Sequence, residues 1–320
     1  MEQRLQRHRL ARRSLRPPSV RHRTPALAAL VAGVAGIGAS EAWCAAGAPP
    51  PRPRAQVEAV LAQPPRDDNG AVPRPLHVVL VADTKDHGPG QHDYPHFQRR
   101  WAELLRGSPG GASAATGTKP AAVTTSLAWQ WPSPEQWAEA DVAVAVCYLN
   151  WSEPRFKELE AFLSRGGGFV MVHAATWTRP DPSPQLAAIT GVGGFTRWRE
   201  GPLELEVNID HPICRGFPRR FLLEDEAYWP PTPAPAPGSI EILVTSHEST
   251  DAAGPARAQP LVWTHRHGKG RVFGCVPGHH TWTLEDPLFR LLLLRGIAWS
   301  AGESPHRFDS LALTEAHPAP

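Results

Sequence analysis

The chain has 320 residues, of which 41% are hydrophobic and 20% are charged, as in ordinary globular proteins with one large or two small domains. Its formal charge of +2 depends on eight arginines that lie before Thr24. Without residues 1–46 the chain has 25 basic and 29 acidic residues, a net charge of −4. Residues 47–320 therefore have no excess of basic over acidic side chains, and we expect no nucleic-acid partner.

Residues 1–46 have the order of segments found in an export signal. The arginine-rich start is followed by an apolar run over residues 26–39, and then by small residues around Cys44. The run is shorter than the roughly 20 apolar residues that span a bilayer, so no stable membrane span is expected in the mature chain. We predict an exported protein of the periplasm or cell envelope, with a disordered basic extension as the alternative.

The first half of the remaining chain alternates between strand and helix patterns. Residues 47–75 are rich in proline, have no sustained apolar period and are expected to form a linker. After it, buried strands are predicted at 77–82, 121–127, 141–147 and 169–172, and helices at 95–105 and after Ser152. Short apolar strands separated by helices predict a mostly parallel sheet with helices on both faces.

The second half is richer in strands. Strands are predicted at 203–209, 240–245, 261–265 and 271–276, with a hairpin turn at 268–270 between the last two. A final helix is predicted at 286–301 from its apolar face. We therefore expect residues 76–303 to form one α/β domain and residues 304–320 to form a loosely held tail.

The four cysteines have neither the spacing of a metal site nor that of a disulfide framework. Cys147 and Cys275 lie in apolar runs typical of strands, where a thiol packs as a small core residue. We therefore expect no required disulfide.

Titratable side chains gather where the predicted strands end. In open parallel sheets, ligands bind outside the carboxyl ends of the strands. These segments contribute Asp83, His87, His92 and Tyr94 after the first strand, His173 after the fourth, Glu226 and Tyr228 from an acidic loop, and His279 after a later strand. We expect the separated segments to converge on one cleft that contains histidine, glutamate and tyrosine side chains.

Each of these residues also has a structural interpretation. A histidine at a strand end often only forms a cap or a hydrogen bond, and Asp225 and Glu226 can be exposed loop acids. The tryptophans near these loops, among them Trp177, Trp198 and Trp282, can either pack in the core or stack on sugar rings.

The stretch from residue 77 to about residue 301 resembles the ThuA-like domains, a family named for trehalose utilisation. The matching pieces, in order, are HVVLVADTKDHGPGQHDY, GGGFVMVHAATW, HPICRGF, DEAYW and VFGCVPGHHTWTLEDPLFRLLLLRGIAWSAGE. The family is similar in fold to the flavodoxin-like class I glutamine amidotransferases. The resemblance thus implies an α/β domain with helices on both faces of its sheet and a β-rich second half.

The resemblance also implies a change of chemistry. In the amidotransferases a turn after a strand presents a nucleophilic cysteine, whereas the corresponding position here carries His173, and their catalytic histidine matches His279. Without a thiol there, thioester chemistry on glutamine is not available, which disfavours a glutaminase subunit. The imidazoles and Glu226 are instead good ligands for a divalent metal, zinc above all, and also suit metal-free acid–base catalysis. No nucleotide cofactor is expected.

The family's association with trehalose implies a carbohydrate or oxidised-sugar ligand. We expect a carbohydrate-active enzyme with His173, His279 and Glu226 as catalytic residues and His92, His173 and His279 as metal ligands; a non-catalytic carbohydrate-binding module of the cell envelope is the alternative. The candidates for substrate binding are Asp83, His87, Tyr94, Trp177, Arg197, Tyr228 and Trp282. By the resemblance, Arg197 takes the place of a histidine found in many ThuA-like domains; if that histidine is functional, the change favours an anionic group in the ligand.

Overall fold

The computed structural model describes residues 47–63, 73–107, 122–233, 239–249, 254–316 and 318–319. The predicted export signal lies outside these residues. Within them, no helix combines the length and the apolar character needed to cross a bilayer.

The described residues contain nine strands and seven α-helices. The strands are β1 (Leu76–Ala82), β2 (Val123–Trp129), β3 (Val142–Ala145), β4 (Gly168–Val172), β5 (Phe195–Val207), β6 (Arg220–Pro231), β7 (Ile240–Glu248), β8 (Arg257–His267) and β9 (Gly270–Cys275). The helices are α1 (Arg54–Leu61), α2 (Tyr94–Arg106), α3 (Pro134–Glu139), α4 (Glu153–Ser164), α5 (Pro184–Thr190), α6 (Thr281–Glu285) and α7 (Pro287–Ser300).

All nine strands join one mixed sheet in the order β2-β1-β3-β4-β9-β8-β7-β5-β6. The pairs from β2 to β9 are parallel, and the pairs from β9 to β6 are antiparallel. The prediction of a mostly parallel sheet therefore holds for only half of it. The direction changes at the predicted hairpin, where His267 pairs with Gly270 and the chain turns from β8 into β9.

Burial explains why the two halves of the sheet differ in sequence. Every residue of β3 and β4 is buried, as expected for parallel strands covered on both faces. Helix α7 packs on β3, β4 and β9 and is itself buried along its whole length. In the antiparallel half, by contrast, the end of β5 and the start of β6 alternate between buried and exposed residues.

The structure differs from the prediction at both ends of the domain. Helix α1 lies inside the predicted linker and buries Val57 and Val60. The predicted loose tail contains a 3-10 helix, Pro305–Leu311, that buries Phe308 and Leu311. The two segments also pair with each other, since the Arg54 N–H donates to the Ala319 carbonyl at 2.9 Å. The sequence missed both because their apolar residues are few and pack against distant elements.

Candidate functional site

Four side chains from distant parts of the chain meet beyond the carboxyl ends of β1, β4 and β9. His92 lies in the loop between β1 and α2, His173 directly follows β4, and His279 lies in the turn between β9 and α6. Glu226 comes from the middle of β6, and all four side chains are buried. The convergence expected from the strand-end rule is therefore present for these residues.

His173 holds its unprotonated nitrogen towards the other three residues. Its Nδ1 lies 2.8 Å from the Val276 carbonyl oxygen, a pure acceptor, so Nδ1 carries the proton and Nε2 presents a lone pair. That Nε2 lies 2.8 Å from His92 Nε2 and 3.1 Å from His279 Nδ1. Burial lowers the pKa of His173 well below its usual value, so the ring is neutral.

His92 is oriented in the same way by an acidic partner. Its Nδ1 lies 2.8 Å from Asp86 Oδ1 and 2.6 Å from the Tyr94 hydroxyl, so its Nε2 also presents a lone pair to the cluster. Burial lowers the pKa of His92 to about 4, although the hydrogen bond that its Nδ1 donates to Asp86 opposes this shift. A histidine held by a carboxylate on one nitrogen and presenting the other is the usual arrangement of a metal ligand.

The backbone at both histidines is strained. His92 has φ 45° and His173 has φ 50°, in the left-handed region that residues other than glycine rarely adopt. Such conformations cost about 1–3 kcal/mol each and concentrate at functional sites, where the surroundings hold them in place.

Glu226 and His279 are in direct buried contact. Glu226 Oε2 lies 3.1 Å from His279 Nδ1 and accepts a hydrogen bond from the Tyr228 hydroxyl at 3.0 Å. Burial raises the pKa of Glu226, but the hydrogen bonds from His279 and Tyr228 outweigh burial and lower it overall. Burial likewise lowers the pKa of His279, and the contact with Glu226 more than reverses this. The glutamate is therefore ionised and the imidazole is a proton donor.

Asp225 links the strand that carries Glu226 to the turn that carries His279. Its buried Oδ1 accepts from the backbone N–H groups of Glu226, Gly278 and His279 at 2.8, 2.9 and 3.1 Å. The Thr283 hydroxyl donates to its Oδ2. This carboxylate fixes the turn after β9 against β6 and so sets the position of His279 relative to Glu226.

The interpretation of Asp225 and Glu226 as exposed loop acids is wrong, because both are buried in the middle of β6. The sequence carried one signal of this. Phe221, Leu223 and Asp225 follow each other at a spacing of two, which places the aspartate on the buried face of a strand.

The cluster has the donor atoms of a transition-metal site. One ligand atom from each of His92, His173, His279 and Glu226 lies within 4.8 Å of the other three. Imidazole nitrogens and a carboxylate oxygen are ligand types that zinc binds, provided that His279 gives up its Nδ1 proton. Two further groups share residues with it, namely Asp86 with His87 and His92, and Glu200 with His279 and His280.

A cavity of about 330 Å³ opens beside the cluster. Its wall contains His87, Gln91, Tyr148, Trp177, Trp198, Glu200, Glu226, Tyr228 and His279. The sequence named His87, Trp177, Tyr228, Glu226 and His279 among its site residues. It missed Gln91, Tyr148 and Glu200, and noted Trp198 only as a nearby tryptophan, because the direction of these side chains depends on pairing that the local sequence does not reveal.

The fold and this cleft agree with one known family. The ThuA family model, described as trehalose utilisation, matches residues 73–300. The chain belongs to the ThuA family. No curated protein sequence matches it.

Two solved structures of ThuA-like proteins share the fold. One, from Parabacteroides merdae ATCC 43184, is 21% identical with a TM-score of 0.52, and covers 72% of this chain and 92% of its own. The other, from Bacteroides uniformis ATCC 8492, is 18% identical with a TM-score of 0.52, and covers 73% of this chain and 97% of its own.

Four of the predicted substrate-binding residues of this ThuA-family chain lie outside the cavity wall. Tyr94 is buried behind His92, and Asp83 accepts hydrogen bonds from Thr84 and Gln130. Arg197 is exposed, and strand alternation turns it away from the face that carries Trp198. Trp282 stacks on His280, and its Nε1 donates to the Glu224 carbonyl. Their placement therefore does not support direct contact with a ligand in this cavity.

The described cysteines of the ThuA-family domain, Cys147, Cys214 and Cys275, are free and buried. Burial raises the pKa of Cys147 and of Cys214 to about 12, and raises that of Cys275 well above its usual value. These thiols are therefore protonated and are poor nucleophiles.

Proposed function

We propose that this ThuA-family chain is a metal-dependent enzyme acting on carbohydrates, with His92, His173 and His279 as zinc ligands and Glu226 as acid–base group. The observation that carries the proposal is the convergence of these four buried side chains, whose donor atoms lie within 4.8 Å of one another. Catalytic zinc sites usually have three protein ligands and leave a fourth position for water or substrate.

The lone pairs of the histidines support a cation at this point. His92 Nε2 and His173 Nε2 face each other at 2.8 Å, and both are acceptors once their Nδ1 atoms donate to Asp86 and Val276. Two acceptors at this distance repel unless a proton or a metal ion lies between them. Because burial disfavours a second proton on either ring, a metal ion fits these residues better.

The strand order gives independent support to this location. The order β2-β1-β3-β4 resembles that of flavodoxin-like sheets, whose ligands bind near the point between β1 and β3 where the order reverses. His92 lies in the loop that leaves β1.

The residues around the proposed zinc site have separate roles in acid–base chemistry and in positioning. When bound, zinc supplies a Lewis acid that polarises a carbonyl oxygen or acidifies a water molecule. Ionised Glu226 accepts a proton at Oε2. The Tyr228 hydroxyl stays protonated, because burial and Glu226 raise its pKa well above the usual value, so it donates a hydrogen bond and orients the carboxylate.

The carbohydrate part of the proposal rests on the family and on the cavity. The family is described by trehalose utilisation. The cavity combines aromatic rings from Tyr148, Trp177 and Tyr228 with carboxylates, which suits a ring with an apolar face and several hydroxyl groups. Its volume lies at the lower end of the roughly 300–1,000 Å³ of small-molecule sites, so one or two sugar rings fit better than a long oligosaccharide.

Metal analysis of protein purified without a histidine tag tests the proposal, followed by assays on disaccharides and 3-keto-sugars with added Zn²⁺ or Mn²⁺. We expect close to one metal ion per chain, and turnover that a chelator abolishes and zinc restores. His173→Ala should lose both metal and turnover, whereas the matched control His247→Ala, at an exposed position of β7, should keep both. A folded chain that binds no metal and turns over no sugar contradicts the proposal.

The alternative of a non-catalytic sugar-binding module makes a different prediction. The aromatic side chains of the cavity, Tyr148, Trp177 and Tyr228, support the binding module as well as the enzyme, because stacking on a sugar ring needs no catalytic group. In that case a sugar binds without turnover, and its affinity is unchanged in His173→Ala but lost in Trp177→Ala.

Export to the periplasm or cell envelope is proposed from the sequence of residues 1–46. Cell fractionation of the full chain, with the mature amino terminus sequenced, tests it. Full-length protein found in the cytoplasm contradicts it.

A further inference from the structure

We infer that the outer part of the cavity is a subsite for a second sugar ring, with Trp198 as its stacking surface and Glu200 as its hydrogen-bond acceptor. These two residues would then bind the outer ring of the sugar and favour a neutral ring over an anionic one. This inference rests on the proposed function, since it extends the same cavity.

The register of β5 and β6 places four cavity residues on one face. Trp198 pairs with Tyr228, and Glu200 pairs with Glu226. Residues two apart share a face of a strand, so these two rows lie side by side on the cavity wall.

The two strands differ in depth. On β6, Tyr228 is 3% exposed and Glu226 is 7% exposed, whereas on β5 Trp198 is 59% exposed. Glu200 on β5 is also exposed, with 46% of its side chain accessible. Strand β6 therefore provides the deep end of the cavity beside His173 and His279, and β5 provides its outer end.

Glu200 is held at the wall by a dedicated partner. Two glutamates directly opposite each other destabilise an antiparallel pair. Here each faces one of two consecutive histidines, because Glu226 Oε2 lies 3.1 Å from His279 Nδ1 and Glu200 Oε1 lies 2.8 Å from His280 Nε2. His280 is in turn fixed by stacking on Trp282 with ring centroids 3.8 Å apart. The outer carboxylate is thus positioned instead of being left to solvent.

Exposure alone does not make Trp198 a binding residue, since single exposed apolar side chains are normal. Trp129 is 54% exposed on β2, at the opposite edge of the sheet, and it does not line this cavity. Trp198 differs because it lines a cavity whose wall also contains the proposed reacting groups Glu226 and His279.

The charges of the outer subsite define the ligand. Glu200 repels anionic sugars and accepts hydrogen bonds from hydroxyl groups, while the indole of Trp198 covers the apolar face of a ring. Arg197 and Arg199, the cations next to Trp198 on β5, lie on the other face of the strand, and Arg199 is paired there with Glu248. A neutral ring therefore fits the outer subsite better than a sugar phosphate or a sugar acid.

Calorimetric titration of the purified metal-loaded chain with trehalose, maltose and glucose tests the subsite. We expect the wild type to bind at least one disaccharide roughly tenfold more tightly than glucose, and Trp198→Ala to remove this difference while leaving glucose affinity unchanged. Glu200→Gln should weaken disaccharide binding by a smaller factor. Trp129→Ala, a matched loss of an equally exposed indole, should change neither affinity.

The failure of this inference differs from the failure of the proposed function. Equal affinities for glucose and both disaccharides, or a Trp198→Ala variant that behaves like Trp129→Ala, overturn the second subsite and leave the metal-dependent site standing. A folded, metal-loaded wild type that binds none of the three sugars counts against both. Circular dichroism of each variant confirms that the fold is intact.

Discussion

The parallel and antiparallel halves of the sheet contribute different parts of the same site. The loops after β1, β4 and β9 supply the three buried imidazoles, which are fixed by Asp86, by the Val276 carbonyl and by Asp225. The β5–β6 hairpin supplies Glu226 and two of the four tyrosine and tryptophan residues in the cavity wall, Trp198 and Tyr228, and Trp198 is more than half exposed. The parallel half thus fixes the proposed metal centre, and the antiparallel half adds the proposed acid–base group and the outer part of the cavity wall.

The largest expected effect comes from removing a proposed metal ligand that the parallel half of the sheet supplies. His92→Ala removes a buried nitrogen ligand, so we expect zinc affinity to fall by more than the roughly 100-fold typical of losing a supporting group, and turnover to disappear. Equilibrium dialysis against zinc measures this. Glu226→Gln should lose turnover by about 100-fold or more while it keeps most of its zinc. Equal zinc loss in both variants would contradict the division between the two halves.

Asp225→Asn tests the connection between the halves. Its Oδ1 accepts from three backbone N–H groups, and its Oδ2 accepts from the Thr283 hydroxyl and the His280 N–H. An amide replaces one of these acceptors with an NH2 donor, which leaves buried donors facing a donor and shifts the turn that carries His279. We expect a loss of about 1.5–3 kcal/mol in the free energy of unfolding. Zinc affinity should fall roughly 10- to 100-fold. Asp210→Asn, at an exposed position, is the control for urea unfolding and zinc binding, and the idea fails if the two variants behave alike.

The pH dependence of zinc binding should follow His279 alone. Its pKa is raised above the usual 6.5 in the metal-free protein, mainly by Glu226 acting against burial, so zinc must displace a proton there as the pH falls. His92, with a pKa of about 4, stays neutral over the same range. Apparent zinc affinity should therefore fall about tenfold per pH unit below the raised pKa.

Competition titrations across this pH range measure that slope. Glu226→Gln removes the group that raises the pKa of His279, so the onset of the decline should move to lower pH. A slope of zero in the wild type, or one that reflects several protons, would show that a different set of groups titrates.

The smallest expected effect concerns Arg197. The sequence interpretation gave it a role with anionic ligands, but its side chain lies outside the cavity wall. Arg197→Ala should change sugar affinity by no more than about twofold, as for an ordinary surface substitution. A larger loss, measured by the same calorimetry, would mean that the outer face of β5 also contacts the ligand.

Much of the fold could be predicted because its signals are local. Continuous apolar runs identified β1, β3 and β4, and the strand-end rule then brought His92, His173 and His279 together. The remaining features depend on distant pairing. Asp225 is buried only because β6 pairs with β5 along its length, and the same register decides that Trp198 and Glu200 face the cavity. An acidic stretch and an exposed tryptophan carry no such information on their own.

The packing of the C-terminal tail against helix α7 affects how far the protein can be shortened. Asp309, in the 3-10 helix of the tail, makes two hydrogen bonds to the fully buried guanidinium of Arg295, at 2.9 and 2.8 Å. A fragment limited to residues 73–300, the range of the family match, would leave the buried Arg295 guanidinium without its carboxylate partner. The free energy of unfolding would then fall by about 3–5 kcal/mol. The boundaries of the homologous sequence are therefore narrower than those of the cooperative folding unit, and expression should start before α1 and run past Ala319.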